Sequence, residues 1–279
     1  SRFTKFPTTW GELNSILPWI TERNGSQITT AGIAMGTSNN VSHPEDILSL
    51  LMLQNQTKMI SEDLGQASFN LPTKDSSGKD IYPGTKALDF YTSYSNPSSP
   101  NYTWNPSMPN DVQAFINGKV AMIFGYSDLS NYLIQGYPDL NFSKALVPQI
   151  GDFNPIIDYS TYTTYTVPEL SPYKTEAWNF ILYLCNTGFN AYGSSTRTIP
   201  PFLTDSTEAL TLNNRSSGAE PSNNVIQTLR TWNKGRYPAE LDNLFKDAIS
   251  RVNTGSQSPQ ASLDTAATKL TELLRKEDW

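Results

Sequence analysis

The sequence predicts an α/β fold, because short apolar runs typical of strands alternate with longer segments whose apolar residues recur at helical spacing. Residues 32–36 and 119–124 are the clearest strand candidates, and residues 46–53 form the strongest helix candidate. The 279 residues, of which 37% are hydrophobic, are enough for one large domain or two lobes with a substantial core.

Two helix starts carry the pattern of a capping box. In this motif the hydroxyl of the first residue accepts from a free backbone N–H of the helix, and a glutamate three residues later accepts from the backbone N–H of that first residue. The first runs from Thr9 to Glu12 and opens a helix with apolar residues at 13, 16, 17 and 20. The second runs from Ser42 to Glu45 and opens the helix over 46–53. That helix is apolar nearly all round, which predicts that it is buried.

The remaining elements continue the alternation of helices and strands. Further helices are predicted over 86–94, over 109–118, through 129–134 and from Pro172 to Leu184. Strands are predicted over 119–124, near 145–147 and over 159–167, where Tyr and Thr alternate. Residues 66–84 and 187–221 are predicted as a surface excursion and a loop region, and three helices are predicted to close the chain, at 225–232, 240–252 and 262–274.

Composition excludes several classes of function. The net charge of −6 and the pI near 4.9 argue against nucleic-acid binding. No stretch is apolar for long enough to span a membrane, and no signal peptide opens the chain. The lone cysteine, Cys185, permits neither an internal disulfide nor a thiolate metal cluster, and its apolar surroundings predict a buried side chain.

Catalytic chemistry has little support in the residues. His43 is the only histidine, and its place beside Pro44 predicts a solvent-facing residue at a helix start. Zinc would need further His or Cys ligands. A pair of carboxylates, as glycoside hydrolases use, stays open among the 26 acidic residues, although many of them occupy helix starts, where the dipole favours them. We therefore expect no enzyme, no cofactor and no metal.

Aromatic and amide side chains favour a site for a neutral, hydroxylated ligand. Tyr102, Trp104 and Asn105 lie close together in the chain, and Tyr126 follows a predicted strand. Sugars present C–H faces that stack on aromatic rings and hydroxyls that need amide or carboxyl partners. For any single ring, ordinary packing in the core is the competing interpretation.

Five short motifs then follow one another in the order known from one protein family. They are 7–13 (PTTWGEL), 31–40 (AGIAMGTSNN), 114–122 (AFINGKVAM), 146–149 (LVPQ) and 176–181 (EAWNFI), of which the third is the most specific. In this the chain resembles the family-1 extracellular solute-binding proteins, the maltose-binding-protein type. The resemblance implies a type II periplasmic-binding-protein fold with two α/β lobes.

The resemblance also assigns parts of the chain to lobes. Residues 8–145 would be the first part of a helix-rich second lobe, 146–205 the returning segment of the first lobe, and 206–279 a helical tail on the second lobe. The first-lobe elements that precede the opening motif in the family would be missing. The implied ligand contacts, with rings stacking and amides bonding, are Ser38, Asn39, Asn40, Trp104, Asn105, Tyr126, Tyr162 and Arg197.

The implied function is extracytoplasmic binding of a solute, a sugar or oligosaccharide, for import by an ABC permease, in the periplasm or at the cell surface. The protein would contact the membrane only through a lipid anchor outside this chain. A carbohydrate-active hydrolase and a surface-binding domain of the same fold without a transport role remain as alternatives.

Overall fold

The computed structural model describes residues 6–25, 27–151, 156–161, 164–184 and 228–275, in which the chain forms eight helices and seven strands. The chain divides into two compact units. The first unit consists of residues 1–124, 147–159 and 228–279, and the second of 125–146 and 160–227. The chain therefore passes four times from one unit to the other.

The elements follow one another in mixed order, which confirms the predicted α/β class. The first unit contains α1 (Trp10–Ile20), β1 (Glu22–Asn24), β2 (Gln27–Ile33), α2 (Pro44–Gln54), β3 (Thr73–Lys74), β4 (Asp80–Ile81), α3 (Pro83–Ser93), α4 (Asp111–Ile116), β5 (Val120–Met122), β6 (Asp158–Tyr159), β7 (Leu229–Arg230), α7 (Pro238–Asn253) and α8 (Pro259–Arg275). The second unit contains α5 (Ser127–Gly136) and α6 (Lys174–Tyr183).

The strands form three small sheets. In the central sheet β2 lies between β1, which is antiparallel to it, and β5, which is parallel and pairs Ala31 with Val120 and Ile33 with Met122. The antiparallel pair β3–β4 forms a second sheet. The third is the parallel pair β6–β7, in which Asp158 faces Leu229.

The start of α1 confirms the first capping box. The backbone N–H of Glu12 donates to Thr9 Oγ1 at 3.1 Å, and the Glu12 carboxylate accepts from the Thr9 N–H at 3.3 Å. Leu13 and Leu17 of this helix are buried against the central sheet. The approach is close: a Cβ at Gly32 would lie 2.8 Å from Leu17 Cδ2, so a larger residue there would displace that side chain.

Four helices build the other side of the core, where α2 and α3 pack against α7 and α8. Nine of the eleven residues of α2 are buried, as its all-round apolar sequence predicts. The rings of Phe69 and Phe245 meet edge to face with centroids 5.1 Å apart. Phe69 thereby anchors the excursion 66–84, which the sequence places at the surface, in the core.

The prediction of a second capping box, from Ser42 to Glu45, is wrong. The residue that caps α2 is His43, in the left-handed conformation with φ of 52°, and its side chain makes no capping hydrogen bond. The Ser42 hydroxyl instead donates to Asp111 Oδ1 at 2.8 Å. Pro44 at the first helical position explains the difference, because a proline disfavours the right-handed helical region for the residue before it.

Several predicted strand and helix bounds are also wrong. Residues 145–147 form no strand, and among the described residues of 159–167 only Tyr159 belongs to one, as the end of β6. Where the sequence favours a helix over 225–232, the described residues form the short strand β7. The strand placed at 32–36 runs from Gln27 to Ile33. The strand β7 pairs with β6, which is distant in sequence, and local propensity carries no record of that partner.

Helix α6 of the second unit exposes much of its apolar surface. None of the residues of α6 is buried, and Trp178, Phe180 and Leu182 each expose half or more of their surface. Among the described helices of both units, none has the length and apolar character needed to cross a lipid bilayer.

Candidate functional site

The candidate site of the first unit lies where the central parallel strands end. Because β2 and β5 are adjacent and parallel, their carboxyl ends lie at the same edge of the sheet. In open α/β sheets, ligands bind beyond the carboxyl ends of the strands. The loop 34–43 leaves β2 at this edge and leads into α2. We call this loop, with the start of α2, the carboxyl edge.

Asn40 and Trp104, both predicted to contact a ligand, are joined to each other at this edge. The Asn40 side-chain oxygen accepts from Trp104 Nε1 at 3.1 Å and from the Thr37 hydroxyl. Its amide nitrogen donates to the carbonyl oxygens of Asn105 at 3.0 Å and Met108 at 2.9 Å. Asn40 therefore uses its bonding capacity to fasten the loop 34–43 to the segment 104–108.

Further buried groups hold the same loop. Asp111 accepts from the Ser42 backbone N–H at 2.7 Å, and the Asp111 N–H donates to the Asn40 carbonyl at 3.0 Å. The Tyr91 hydroxyl donates to the Thr37 carbonyl at 2.8 Å. Gly36 has φ of 103°, and a Cβ there would lie 2.7 Å from the Ser95 backbone nitrogen, so glycine is required. The loop is thus fixed by the core beneath it.

The structure divides the predicted site residues of the first unit into accessible and engaged side chains. Asn39 is exposed and Ser38 half-buried, so both can meet a solute at the carboxyl edge. Trp104 has no accessible surface and cannot stack on a ligand in this conformation. The Asn105 amide is engaged, since it donates to the Tyr102 hydroxyl at 3.0 Å and accepts from the Ser107 N–H at 2.9 Å.

The other three predicted contacts lie elsewhere. Tyr126 is half-buried and is the N-cap residue directly before α5 in the second unit. Tyr162 and Arg197 lie outside the described residues, as does Cys185. The structure therefore brings Asn40, Trp104 and Asn105 together, with Ser38 and Asn39 in the same loop.

An ion-pair cluster at the start of α2 was missed by the sequence reasoning. Lys234 Nζ lies 3.1 Å from Asp46 Oδ1 and 2.7 Å from Asp242 Oδ1. Lys246 Nζ lies 3.4 Å from Glu45 Oε2. Asp46 and Lys234 are 188 residues apart, so no local pattern could have paired them. The only signal was the placement of two acidic residues in the first turn of a buried helix.

Burial and charge shift two pKa values in this cluster. Burial alone would lower the pKa of Lys234, but the hydrogen bond to Asp242 and the charge of Asp46 outweigh it, so the pKa lies well above its usual range. Burial, with the negative charge of Asp46, raises the pKa of the Tyr159 phenol to about 12. Lys234 is therefore charged and Tyr159 neutral throughout the physiological range.

Three side chains at the start of α2 offer atoms that metals prefer as ligands. Ligand atoms of His43, Glu45 and Asp46 lie within 4.8 Å of one another. However, Lys234 and Lys246 already neutralise the two carboxylates, and the amino end of α2 carries the positive end of the helix dipole. Both charges oppose a cation, so the arrangement fits a structural ion-pair network better than a metal centre.

The accessible groups of the carboxyl edge are suited to hydrogen bonding with a neutral solute. Ser38 offers a hydroxyl, Asn39 an amide, and His43, half exposed, an imidazole. The carboxylates of Glu45, Asp46 and Asp111 are each engaged by a lysine or by protein N–H and O–H donors. The arrangement can thus hold a hydroxylated molecule, and these three carboxylates are committed to holding the fold.

Comparisons with known proteins point to one family. A model of the bacterial extracellular solute-binding proteins matches residues 1–216. No curated protein sequence matches this chain.

Solved structures of similar fold bind sugars. The sugar-binding protein MalE from Xanthomonas citri aligns with a TM-score of 0.72 at 18% identity, over 98% of this chain and 65% of that one. The cyclic α-maltosyl-1,6-maltose binding protein from Arthrobacter globiformis aligns with a TM-score of 0.69 at 16% identity, over 98% and 66%. A solute-binding protein from Thermotoga lettingae bound with α-D-tagatose gives 0.61 at 18%, over 96% and 65%. The chain thus spans 65–66% of the length of these relatives.

Proposed function

Because this chain belongs to the bacterial extracellular solute-binding proteins, we propose that it captures a neutral sugar or oligosaccharide outside the cytoplasmic membrane for an ABC importer. The observation that carries the proposal is the family match over residues 1–216. The sugar-binding proteins of similar fold support the class of solute, and the family resemblance seen in the five motifs agrees with the match.

The carboxyl edge supports the same class of ligand from its chemistry. Ser38 and Asn39 are placed to exchange hydrogen bonds with sugar hydroxyls, and Tyr126 is the candidate for stacking. Tyr162 and Arg197 complete the proposed contacts. We assign Asn40, Trp104 and Asn105 a different role, since they hold the loop that carries Ser38 and Asn39.

The partners and the lobes belong to the same proposal. The bound solute would be presented to an ABC permease, and a lipid anchor outside this chain would hold the protein at the membrane. Residues 8–145 and 206–279 would form the second lobe, and 146–205 the returning part of the first. The protein would act by binding alone and carry out no hydrolysis.

Isothermal titration calorimetry tests the proposal. The protein, as this chain and as the complete gene product, is titrated with a panel of neutral mono- and oligosaccharides. We expect saturable binding of at least one sugar, weakened at least tenfold in Asn39→Ala, with no release of product from chromogenic glycosides. Tight binding of a peptide or a metal complex, with no response to any sugar, would refute the sugar assignment.

A further inference from the structure

Two glutamine side chains hold the stretch of chain that enters the first unit at Val147 and leaves it at Tyr159. The first is Gln54, the last residue of α2. Its side-chain oxygen accepts from Trp10 Nε1 at 2.8 Å. Its amide nitrogen donates to the carbonyl oxygens of Pro148 and Ile157, both at 3.1 Å. One side chain thus ties α1 to both described parts of the stretch, residues 147–151 and 156–159, which we call its two limbs.

The second is Gln149, inside the stretch itself. Its amide nitrogen donates to the carbonyl of Ile157 at 3.1 Å, and its side-chain oxygen accepts from the Ile157 N–H at 2.9 Å. Its backbone N–H donates to the Thr8 carbonyl at 2.9 Å, and its carbonyl accepts from the Trp10 N–H at 3.0 Å. Gln149 therefore fastens one limb to the start of α1 and the other limb to itself.

The need for these bonds follows from the short strands of the stretch. In its described residues, 147–151 and 156–159, the stretch has one strand, the two-residue β6, so the backbone groups of residue 157 find partners in glutamine side chains. Buried backbone groups without a partner are costly. A primary amide supplies donors and an acceptor on one flexible arm, a combination that neither a carboxylate nor an alkyl side chain offers.

We propose that Gln54 and Gln149 form a clamp that fixes residues 147–151 and 156–159 to the first unit and so positions the points where the chain leaves for the second unit. They are positioning residues and touch no solute. The clamp rests on contacts within the first unit alone, and its effect on sugar affinity rests in addition on the proposed function. Loosening it should weaken binding, because the order lost must be restored when the solute binds.

The variants Gln54→Glu and Gln149→Glu test the clamp with almost no change in shape. Each keeps an oxygen acceptor and replaces an amide donor by a carboxylate oxygen that repels the facing carbonyls. Gln54→Glu preserves the acceptor for the Trp10 indole, so the indole N–H resonance of Trp10 should stay near its wild-type position. Gln54→Leu removes that acceptor and should shift the resonance. Gln113→Glu, at an exposed position of α4, controls for the added charge.

Hydrogen–deuterium exchange of the solute-free protein is the first measurement. We expect peptides covering 147–159 to exchange at least tenfold faster in both glutamate variants and at the wild-type rate in Gln113→Glu. Unchanged exchange in both variants would overturn the clamp, whether or not any sugar binds.

The second measurement is the sugar Kd of the same variants, with the best ligand of the calorimetric panel. At least a threefold rise, with Gln113→Glu unchanged, supports the positioning role. Faster exchange with an unchanged Kd would overturn that role. A panel without any binding sugar would count against the proposed function and leave the exchange result to decide on the clamp.

Discussion

Replacing Asn40 by alanine should destabilise the first unit by about 3 kcal/mol, which tests whether this residue holds the fold or binds a solute. The change removes the acceptor of the Trp104 indole, whose side chain has no accessible surface. A buried donor left without a partner costs about 1–3 kcal/mol. Two carbonyl oxygens also lose a donor, but Asn105 and Met108 are half-buried and water can replace part of that loss. The total is therefore near the upper end of that range.

Urea unfolding, followed by tryptophan fluorescence and circular dichroism, measures the effect. The midpoint should fall while the slope stays the same, because the surface exposed on unfolding is unchanged. The matched control is Asn39→Ala, one residue away in the same loop but exposed. Its unfolding free energy should stay within about 0.5 kcal/mol of wild type.

Sugar affinity should also separate the two variants. Asn39→Ala should lose affinity at unchanged stability, and Asn40→Ala should lose stability first. If Asn40→Ala unfolds like the wild type, with a loss below about 1 kcal/mol, the bonds to Trp104 do not hold the loop. That result would return Asn40 to the list of solute contacts.

Three further substitutions test the ion pairs of Lys234, the buried carboxyl group of Asp158 in β6, and the packing at Gly84. Lys234→Met should cost about 3 kcal/mol, since two partly buried carboxylates lose their counter-ion. Because the pKa of Lys234 is raised on folding, the deficit in urea melts should be constant below pH ~10.5 and shrink above it; a constant deficit at higher pH would contradict this. Burial raises the pKa of Asp158, so Asp158→Asn should be the more stable protein at pH 7, and its advantage should narrow as the pH falls towards 4; a widening gap would refute the assignment. Gly84→Ala places a Cβ 2.0 Å from the Phe69 carbonyl oxygen and should cost about 3 kcal/mol or more in thermal melts. In the control Gly136→Ala the new Cβ meets no atom within 4 Å, so a small gain below about 1 kcal/mol is expected, and equal effects of the two changes would contradict the packing argument.

The sequence predicted the elements whose cause is local. The capping box at Thr9 and the buried helix α2 are confirmed. The motif 114–122 also behaves as its pattern indicates, since Gly118 takes φ of 66° after α4 and the chain turns into β5. In these cases neighbouring residues supply the hydrogen-bond partner, the apolar face or the backbone freedom.

The elements that the sequence did not predict depend on distant partners. Trp104 lies in a polar stretch that favours an accessible ring, but Asn40 satisfies its indole N–H and the core closes around it. Lys234 has no local pattern at all and is fixed by Asp46 of α2. The strand β7 forms only because it pairs with β6. Propensity and motif order contain none of these pairings.

The burial of Trp104 does not bear on the family assignment. That assignment rests on the match over residues 1–216, and the fold on the structural similarity. Of the proposed sugar contacts in the first unit, the side chains of Ser38 and Asn39 are accessible.

The most direct test of the sugar site is an NMR titration of the isotopically labelled protein with the tightest sugar of the panel. Saturable shifts should appear at the backbone amides of Ser38 and Asn39 and at Tyr126, while the indole N–H of Trp104 stays in place. Saturable shifts confined to residues remote from the loop 34–43, with Ser38 and Asn39 unmoved, would contradict the site.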